Sequence, residues 1–303
     1  MKEKYHIATI ITCHNRKNKT IEALKHLFVA RDKYALEINL KVFLTDDGST
    51  DGTSNAVITE FSNENIKILK GDGNLYWAGG MRLAWNAAIE EGTPWDFYLL
   101  LNDDTFLKPN AFTELLKTHK YAINKFKQAG IYSGITSDID GKNITYGGKK
   151  YCFPIIGKAV NMLPTGIPQL CQMTNANILL VSHKIVERID IFDTFYQHNC
   201  ADWDYGIKTH RTGFPVLITG NICGICENDH ATEQNEEKNI SKMSIAERKA
   251  YFESPLRTIK DVRHFLWKYH KMRYLLVSFA RWLNIHFPRT YYRLSNMRPN
   301  HKI

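Results

Sequence analysis

The sequence contains no run approaching the roughly 18 uninterrupted apolar residues that a membrane-spanning helix requires. Its opening residues, Met1-Lys2-Glu3-Lys4-Tyr5-His6, also carry no apolar stretch of signal-peptide length. The expectation is a cytoplasmic protein that does not cross a membrane. Cysteine is sparse: Cys13, Cys152, Cys171, Cys200, Cys223 and Cys226 are six among 303 residues, and in that compartment they read as reduced thiols. Cys223-Gly224-Ile225-Cys226 has no second pair to complete a zinc cage, so free thiols in or near a strand are expected. No internal repeat appears. Acidic residues are nearly missing from the C-terminal end, where Asp261 alone stands against eleven Lys and Arg between Arg257 and Ile303. The whole chain carries +9, so everything before Arg257 is close to neutral. A basic tail on a neutral core argues against nucleic-acid binding and for a tail with its own partner.

At 44% hydrophobic and 23% charged, the chain is an ordinary globular protein with room for one large core and an appendage. Its organising stretch is Tyr98-Leu99-Leu100-Leu101-Asn102-Asp103-Asp104-Thr105. Four consecutive apolar residues suit a strand covered on both faces, and Asp103 and Asp104 then stand at its carboxyl end, where open α/β sheets bind ligands. Adjacent carboxylates repel unless a cation lies beside them; a divalent metal and a helix cap before Pro109 are both open.

Before it come a strand over 6–12, a helix carrying Ile21, Leu24, Leu27 and Phe28, and a strand from Ile38 to Leu44 that ends in Asp46-Asp47-Gly48-Ser49-Thr50-Asp51-Gly52-Thr53. A short strand over 66–69, a Gly-rich loop and a helix from about Met81 to Glu90 lead to the strand Trp95–Leu101. Strands alternating with helices predict a doubly wound sheet. From about Gly130 to Pro168 the pattern loosens, interrupted by Pro154, Pro164 and Pro168. An acidic segment, Cys200-Ala201-Asp202-Trp203-Asp204-Tyr205, opens a helix that Gly213 closes. Beyond a polar loop or linker over 231–254, one long amphipathic helix runs from Pro255 to about Leu283. Val262, Phe265, Leu266, Tyr269, Met272, Leu276, Phe279, Ala280 and Leu283 lie along one face, and Lys260, Arg263, Lys268, Lys271 and Arg281 along the other. This basic tail, 255–303, either lies on an anionic membrane or packs on the core with its charges in water.

Five pieces in order resemble a family 2 glycosyltransferase of the GT-A type over roughly residues 6 to 230: Thr12-Cys13-His14-Asn15-Arg16; Asp46 to Thr53; Gly73-Asn74-Leu75-Tyr76-Trp77-Ala78-Gly79-Gly80-Met81; Asn102-Asp103-Asp104; and Asp202-Trp203-Asp204-Tyr205 with Gly213. The third and fourth are most similar to bacterial rhamnosyltransferase-like and galactofuranosyltransferase-like branches. The resemblance implies a Rossmann-like, doubly wound mixed sheet with a C-terminal helical extension. It divides 1–230 into a nucleotide-sugar half to about 130 and an acceptor half from 131.

It also implies an inverting, metal-dependent transfer from a nucleoside-diphosphate sugar, dTDP-rhamnose or a UDP-sugar, to a glycan or lipid-linked glycan in surface polysaccharide such as O-antigen or capsule. Residue by residue, Asp47 would hold the base or ribose, Asp104 the Mn²⁺ or Mg²⁺ on the diphosphate with Asp103 beside it, and Asp202 would be the general base. Thr12, Asn15, Arg16, Gly73, Asn74, Trp77 and Gly80 would line the donor site, Trp203, Asp204 and Lys208 the acceptor side, and His230 would join the metal or diphosphate. Ala201, Lys208 and Cys13-His14 depart from the usual pattern, and Lys208 in place of arginine loses the bidentate fork. Two competing readings are a sugar-phosphate nucleotidyltransferase, which would need glycines that Thr12–Lys19 lacks, and a non-catalytic glycan-binding scaffold. Oligomeric state is left open.

Overall fold

The computed structural model describes residues 4–34, 37–153, 157–227, 240–254, 257 and 259–296. His230 and most of the polar stretch before Ile240 lie outside them. The chain forms two compact units, Met1–Cys152 with Ala159–Glu227, and Phe153–Lys158 with Asn228–Ile303.

The first unit begins with β1 (Tyr5–Cys13), α1 (Lys17–Asp32), β2 (Ile38–Asp46), α2 (Thr53–Glu60), β3 (Ile66–Lys70), α3 (Tyr76–Glu90), β4 (Phe97–Leu101), β5 (Phe106–Leu107) and α4 (Ala111–Phe126). It continues with β6 (Ile131–Ser137), β7 (Ile144–Tyr146), β8 (Gly148–Phe153), β9 (Lys158–Asn161), β10 (Gln169–Leu170), β11 (Met173–Thr174), β12 (Ile178–Ser182), α5 (His183–Ile189), α6 (Ala201–Arg211) and β13 (Val216–Ile225). The main sheet orders as β10-β13-β6-β12-β4-β1-β2-β3, and a small one as β11-β8-β9. β3, β2, β1 and β4 run parallel, β12 is antiparallel to β4 and β6, and β13 is parallel to β6. The sheet is therefore mixed, and the expected halves before and after residue 130 share it. The ends of this order are β10, two residues long, and β3, whose Lys67 and Lys70 are exposed, while β5 pairs with β13 and β7 with β6 off it.

Alternation within β1 explains the layers. Ile7 and Ile11 join Leu24, Leu27 and Phe28 of α1 and Phe112 and Leu115 of α4 in one apolar core. The opposite face receives α3, whose Trp85 packs against Tyr98 of β4 and against Phe192 and Tyr205. β4 is buried at every position, which is why its sequence shows no polar alternation. α3 starts five residues earlier than the periodicity predicts, because Ala78, Gly79, Gly80 and Met81 are all buried in its first turns.

The second unit holds α7 (Ile245–Glu253), α8 (Ile259–Tyr269), α9 (Lys271–His286) and α10 (Pro288–Asn296). α7 occupies the stretch expected to be a polar linker, started by a capping box in which Ser244 accepts from the Glu247 amide and Glu247 from the Ser244 amide. The single long helix expected after Pro255 is two helices. They break at His270, whose buried ring leaves Gly157 no room for a side chain: a Cβ there would lie 2.6 Å from the imidazole. Phe265 and Leu266 are buried as the pattern predicts, but Met272, Leu276 and Phe279 of the same predicted face are exposed. The buried interior of this unit is small and partly polar. Arg248 sits inside it and donates to the carbonyls of Ile285 and Met243, each at 2.6 Å.

Candidate functional site

Three parallel strands end side by side. Cys13 of β1 is level with Asp46 of β2, and Ile10 with Leu100 of β4, so the segments that follow leave one edge of the sheet together. Cross-links between the first two fix their shape. The Thr50 amide donates to Asn15 Oδ1 at 2.8 Å, the Asn15 amide to Ser49 Oγ at 2.9 Å, and His14 Nδ1 to the Asp47 carbonyl at 2.6 Å. Asn15 itself is left-handed at φ 51°, a conformation asparagine tolerates better than most residues.

Asp47 is buried, and both its oxygens are engaged by backbone: Oδ1 accepts from the Gly73 amide at 2.9 Å and Oδ2 from the Tyr76 amide at 3.0 Å. It is not a helix cap, a task taken by Asp51, which accepts from the amides of Lys17 and Thr53. Asp47 instead pins the loop from Gly71 to Tyr76 against the strand end, and glycine is required there. A Cβ on Gly71 would fall 2.4 Å from Asp47 Oδ1, and one on Gly48 2.9 Å from the Gly73 amide nitrogen. Asp47, expected to hold base or ribose, supports in this structure the Gly73-Asn74 loop, where Asn74 is exposed.

After β4 the acidic pair meets a cation. Arg16 Nη1 lies 3.1 Å from Asp103 Oδ1 and 2.7 Å from Asp104 Oδ2. Asp103 is 7% exposed, and its Oδ2 is buried without a hydrogen-bond partner. Burial, and then Asp104, pushes its carboxyl up to about 7. Cys226 Sγ stands 3.8 Å from Asp104 Oδ1, and burial and that carboxylate push its thiol up to about 12. An orphaned buried oxygen beside a second carboxylate, with a guanidinium already between them, is a site that suits a positive ion. Among the described residues no group of three or more His, Cys, Asp and Glu side chains is gathered for a metal. The donor set therefore fits a hard cation that takes its other ligands from water and phosphate oxygens rather than an all-protein cage. Trp77 supports the motif: its indole donates to Asn102 Oδ1 at 2.8 Å, and its ring packs on Phe192 at 5.5 Å.

A second acidic centre lies at the start of α6. Asp202 Oδ2 accepts from the Ala176 amide at 3.2 Å and Oδ1 from the Trp203 amide at 2.9 Å. Burial pushes its carboxyl up to about 6, against those two amides and the Lys149 charge, which pull it down. Lys149 lies over the Trp203 ring at 4.6 Å, and burial lowers its own proton affinity. α6 seats closely on β11 because residue 206 is glycine: a Cβ there would meet Thr174 Oγ1 at 3.0 Å. The two acidic centres share one support. Ala176 donates to Asp202, while the neighbouring Asn177 accepts the Asn102 amide through its carbonyl at 3.2 Å and donates to Cys226 Sγ at 3.3 Å.

Other expected site residues make contacts within the fold. Thr12 and Gly80 are buried against each other, a Cβ on Gly80 lying 2.1 Å from Thr12 Oγ1, so this pair packs α3 onto β1. Asp204 is buried and accepts from the Tyr196 hydroxyl at 3.0 Å. Lys208 donates to the Ile189 carbonyl at 2.5 Å, bracing the end of α5. His230 falls outside the described residues. Cys226, Asn177 and Lys149 enter the site unannounced. Only the CxxC spacing marked one of them, and all three arrive through strand pairing.

Residues 8–146 match the model of the family described as Glycosyl transferase family 2. That match covers less than half of the chain and is a similarity to the family; the architecture is that of the GT-A fold with a helical C-terminal extension. Among solved structures the chain is similar to S. aureus TarS 1-349 in complex with UDP, at 14% identity and TM-score 0.50 over 73% of this chain and 60% of that one. It is also similar to the mannosyltransferase PcManGT from Pyrobaculum calidifontis with GDP-Man and Mn²⁺, at 14% identity and TM-score 0.50 over 97% and 84%. A third is GalNAc-T7 with UDP, GalNAc and Mn²⁺, at 13% identity and TM-score 0.51 over 74% and 43%. The chain thus spans three fifths of the TarS piece and less than half of GalNAc-T7. No curated protein sequence matches it. At these identities the likeness concerns the fold.

Proposed function

We propose that the chain is an inverting glycosyltransferase that moves a sugar from a nucleoside diphosphate to a hydroxyl of a glycan or lipid-linked glycan. A dTDP- or UDP-sugar is the preferred donor, and bacterial surface polysaccharide the preferred setting. The observation that carries this reading is the support shared by two unlike acidic centres: residues 176 and 177 tie Asp202 to the Asn102-Asp103-Asp104 turn. Inverting transfer needs both. An acceptor hydroxyl is a weak nucleophile, and a carboxylate within hydrogen-bond reach must take its proton as the bond to the anomeric carbon forms. Asp202 suits that task, being pushed up to about 6 and so ionised at neutral pH yet more basic than an ordinary aspartate. The leaving diphosphate gathers negative charge, and Mn²⁺ or Mg²⁺ held at Asp104 with Asp103 beside it would supply Lewis-acid stabilisation. Arg16 sits at the same turn as a second positive group. The ligands of the similar structures, UDP, GDP-Man and Mn²⁺, support a donor of this class.

The test is a calorimetric titration of wild type and Asp104→Ala with UDP, dTDP, GDP and their sugars, with and without Mn²⁺. Metal-dependent binding that the substitution abolishes is expected, and the preferred nucleotide identifies the donor. Binding that ignores both metal and Asp104, or no binding at all, overturns the reading in favour of a scaffold.

A further inference from the structure

α9 presents its most apolar side outward. Met272, Leu275, Leu276, Phe279 and Trp282 are 59%, 60%, 63%, 63% and 49% exposed, and their spacing puts them in one stripe along the helix. Asn284 and Ile285, both buried, lie on the opposite side. A helix that covers a core normally does the reverse, and contiguous apolar exposure of this kind marks a surface that something covers. The stripe continues past the helix end. Phe279 stacks on Trp282 at 6.0 Å, Trp282 touches Phe287 at 5.8 Å, and Phe287 is itself exposed. Trp267, also exposed, has Lys271 Nζ 5.4 Å from its ring.

Charge selects the occupant. Lys268, Lys271, Arg289 and Arg293, on α8, α9 and α10, are exposed. From Val262 to Ile303 the sequence contains no acidic residue, and Asp261 just before it is buried. We propose that this face of α9, with Phe287 and those Lys and Arg, is a docking surface for a bilayer bearing anionic headgroups. Apolar side chains would enter the boundary between headgroups and acyl chains, aromatic rings would sit at headgroup depth, and long basic side chains would reach phosphates on either side. A second copy fits less well, because closing two such faces sets cationic rim against cationic rim. α9 has 16 residues, about 24 Å at 1.5 Å each, and no helix among the described residues is long and apolar enough to cross a membrane. It would therefore lie in the plane of the surface. This inference concerns a different unit from the transfer site and stands or falls without it.

The experiment is sedimentation of the full chain with phosphatidylcholine vesicles, with and without about one third phosphatidylglycerol. The variants are Leu276→Glu with Phe279→Glu, and Lys271→Glu with Arg289→Glu. All four positions are exposed, and circular dichroism checks that the variants stay folded. Wild type is expected to pellet with the anionic vesicles and stay in solution with neutral ones. Either double variant should bind at least about tenfold more weakly, and added salt should release wild type. Wild type remaining in solution with anionic vesicles overturns the proposal, as does equal pelleting of the Leu276/Phe279 variant. Sedimentation equilibrium supplies the remaining arm: a dimer that Leu276→Glu dissociates, without vesicle binding by wild type, assigns the face to a second copy and overturns it too.

Discussion

Single side chains here carry two jobs that their residue type does not separate. Asp202 and Asp204 both open α6, yet one keeps its carboxylate at the turn shared with Asn177 and the other is spent on the Tyr196 hydroxyl. Asp202→Asn should therefore lower kcat about a hundred- to ten-thousand-fold while nucleotide affinity stays within a few-fold of wild type, as paired turnover and titration measurements would show. The wild-type rate should rise with pH through about 6 as the carboxylate ionises. In Lys149→Met this rise should move to higher pH, because the charge that favours ionised Asp202 is gone. The stability effect runs the other way. Between an ordinary 3.8 and about 6, the folded state holds a proton that the unfolded chain has released, so this group's contribution to stability falls as pH rises through that interval and is constant above it. The carboxylate positions themselves were legible in the sequence, since Asp103, Asp104 and Asp202 stand where apolar or helical pattern begins or ends. The commitment of each oxygen was not. Asp47 illustrates why: its partners are the amides of Gly73 and Tyr76, which are 26 and 29 residues away and carry no side-chain signal.

At the level of elements, β1 to β4 and their helices could be read because each obeys one local period, and burial of β4 on both faces follows from its unbroken apolar run. Two boundaries went otherwise. α3 absorbs Gly79 and Gly80, residues that suggest a turn, because a strand must pass close by. Gly80→Ala should thus destabilise the fold by about 1–3 kcal/mol in urea unfolding: its Cβ would lie 2.8 Å from Thr12 Cβ, and the clash outweighs alanine's better helix propensity. A neutral or stabilising result would show that α3 can shift off β1. The break between α8 and α9 is equally non-local. The apolar period runs through His270 without a fault, but His270 is buried where Gly157, at φ 66° and 113 residues earlier, leaves it space.

Over the whole molecule, buried apolar side chains are unevenly spread. The first unit is built on a sheet buried from β6 to β2, whereas the second encloses Ile240, Phe265, Leu266 and Ile285 around buried Arg248, Asp261, His270 and Asn284. Few apolar side chains around polar groups give a low cost of opening. Native-state hydrogen exchange should accordingly find the amides of α7 to α9 exchanging through partial openings at denaturant concentrations where β1, β4 and β12 are still protected. Equal protection in both units would contradict this. The main sheet has one further property. Its last strands are a two-residue β10 on one side and a five-residue β3 with outward lysines on the other. A partner strand, or another copy of the chain, finds too few free amides at the first edge and a cationic fence at the second. Strand addition, one way for α/β domains to acquire partners, is therefore disfavoured at these two ends of the sheet.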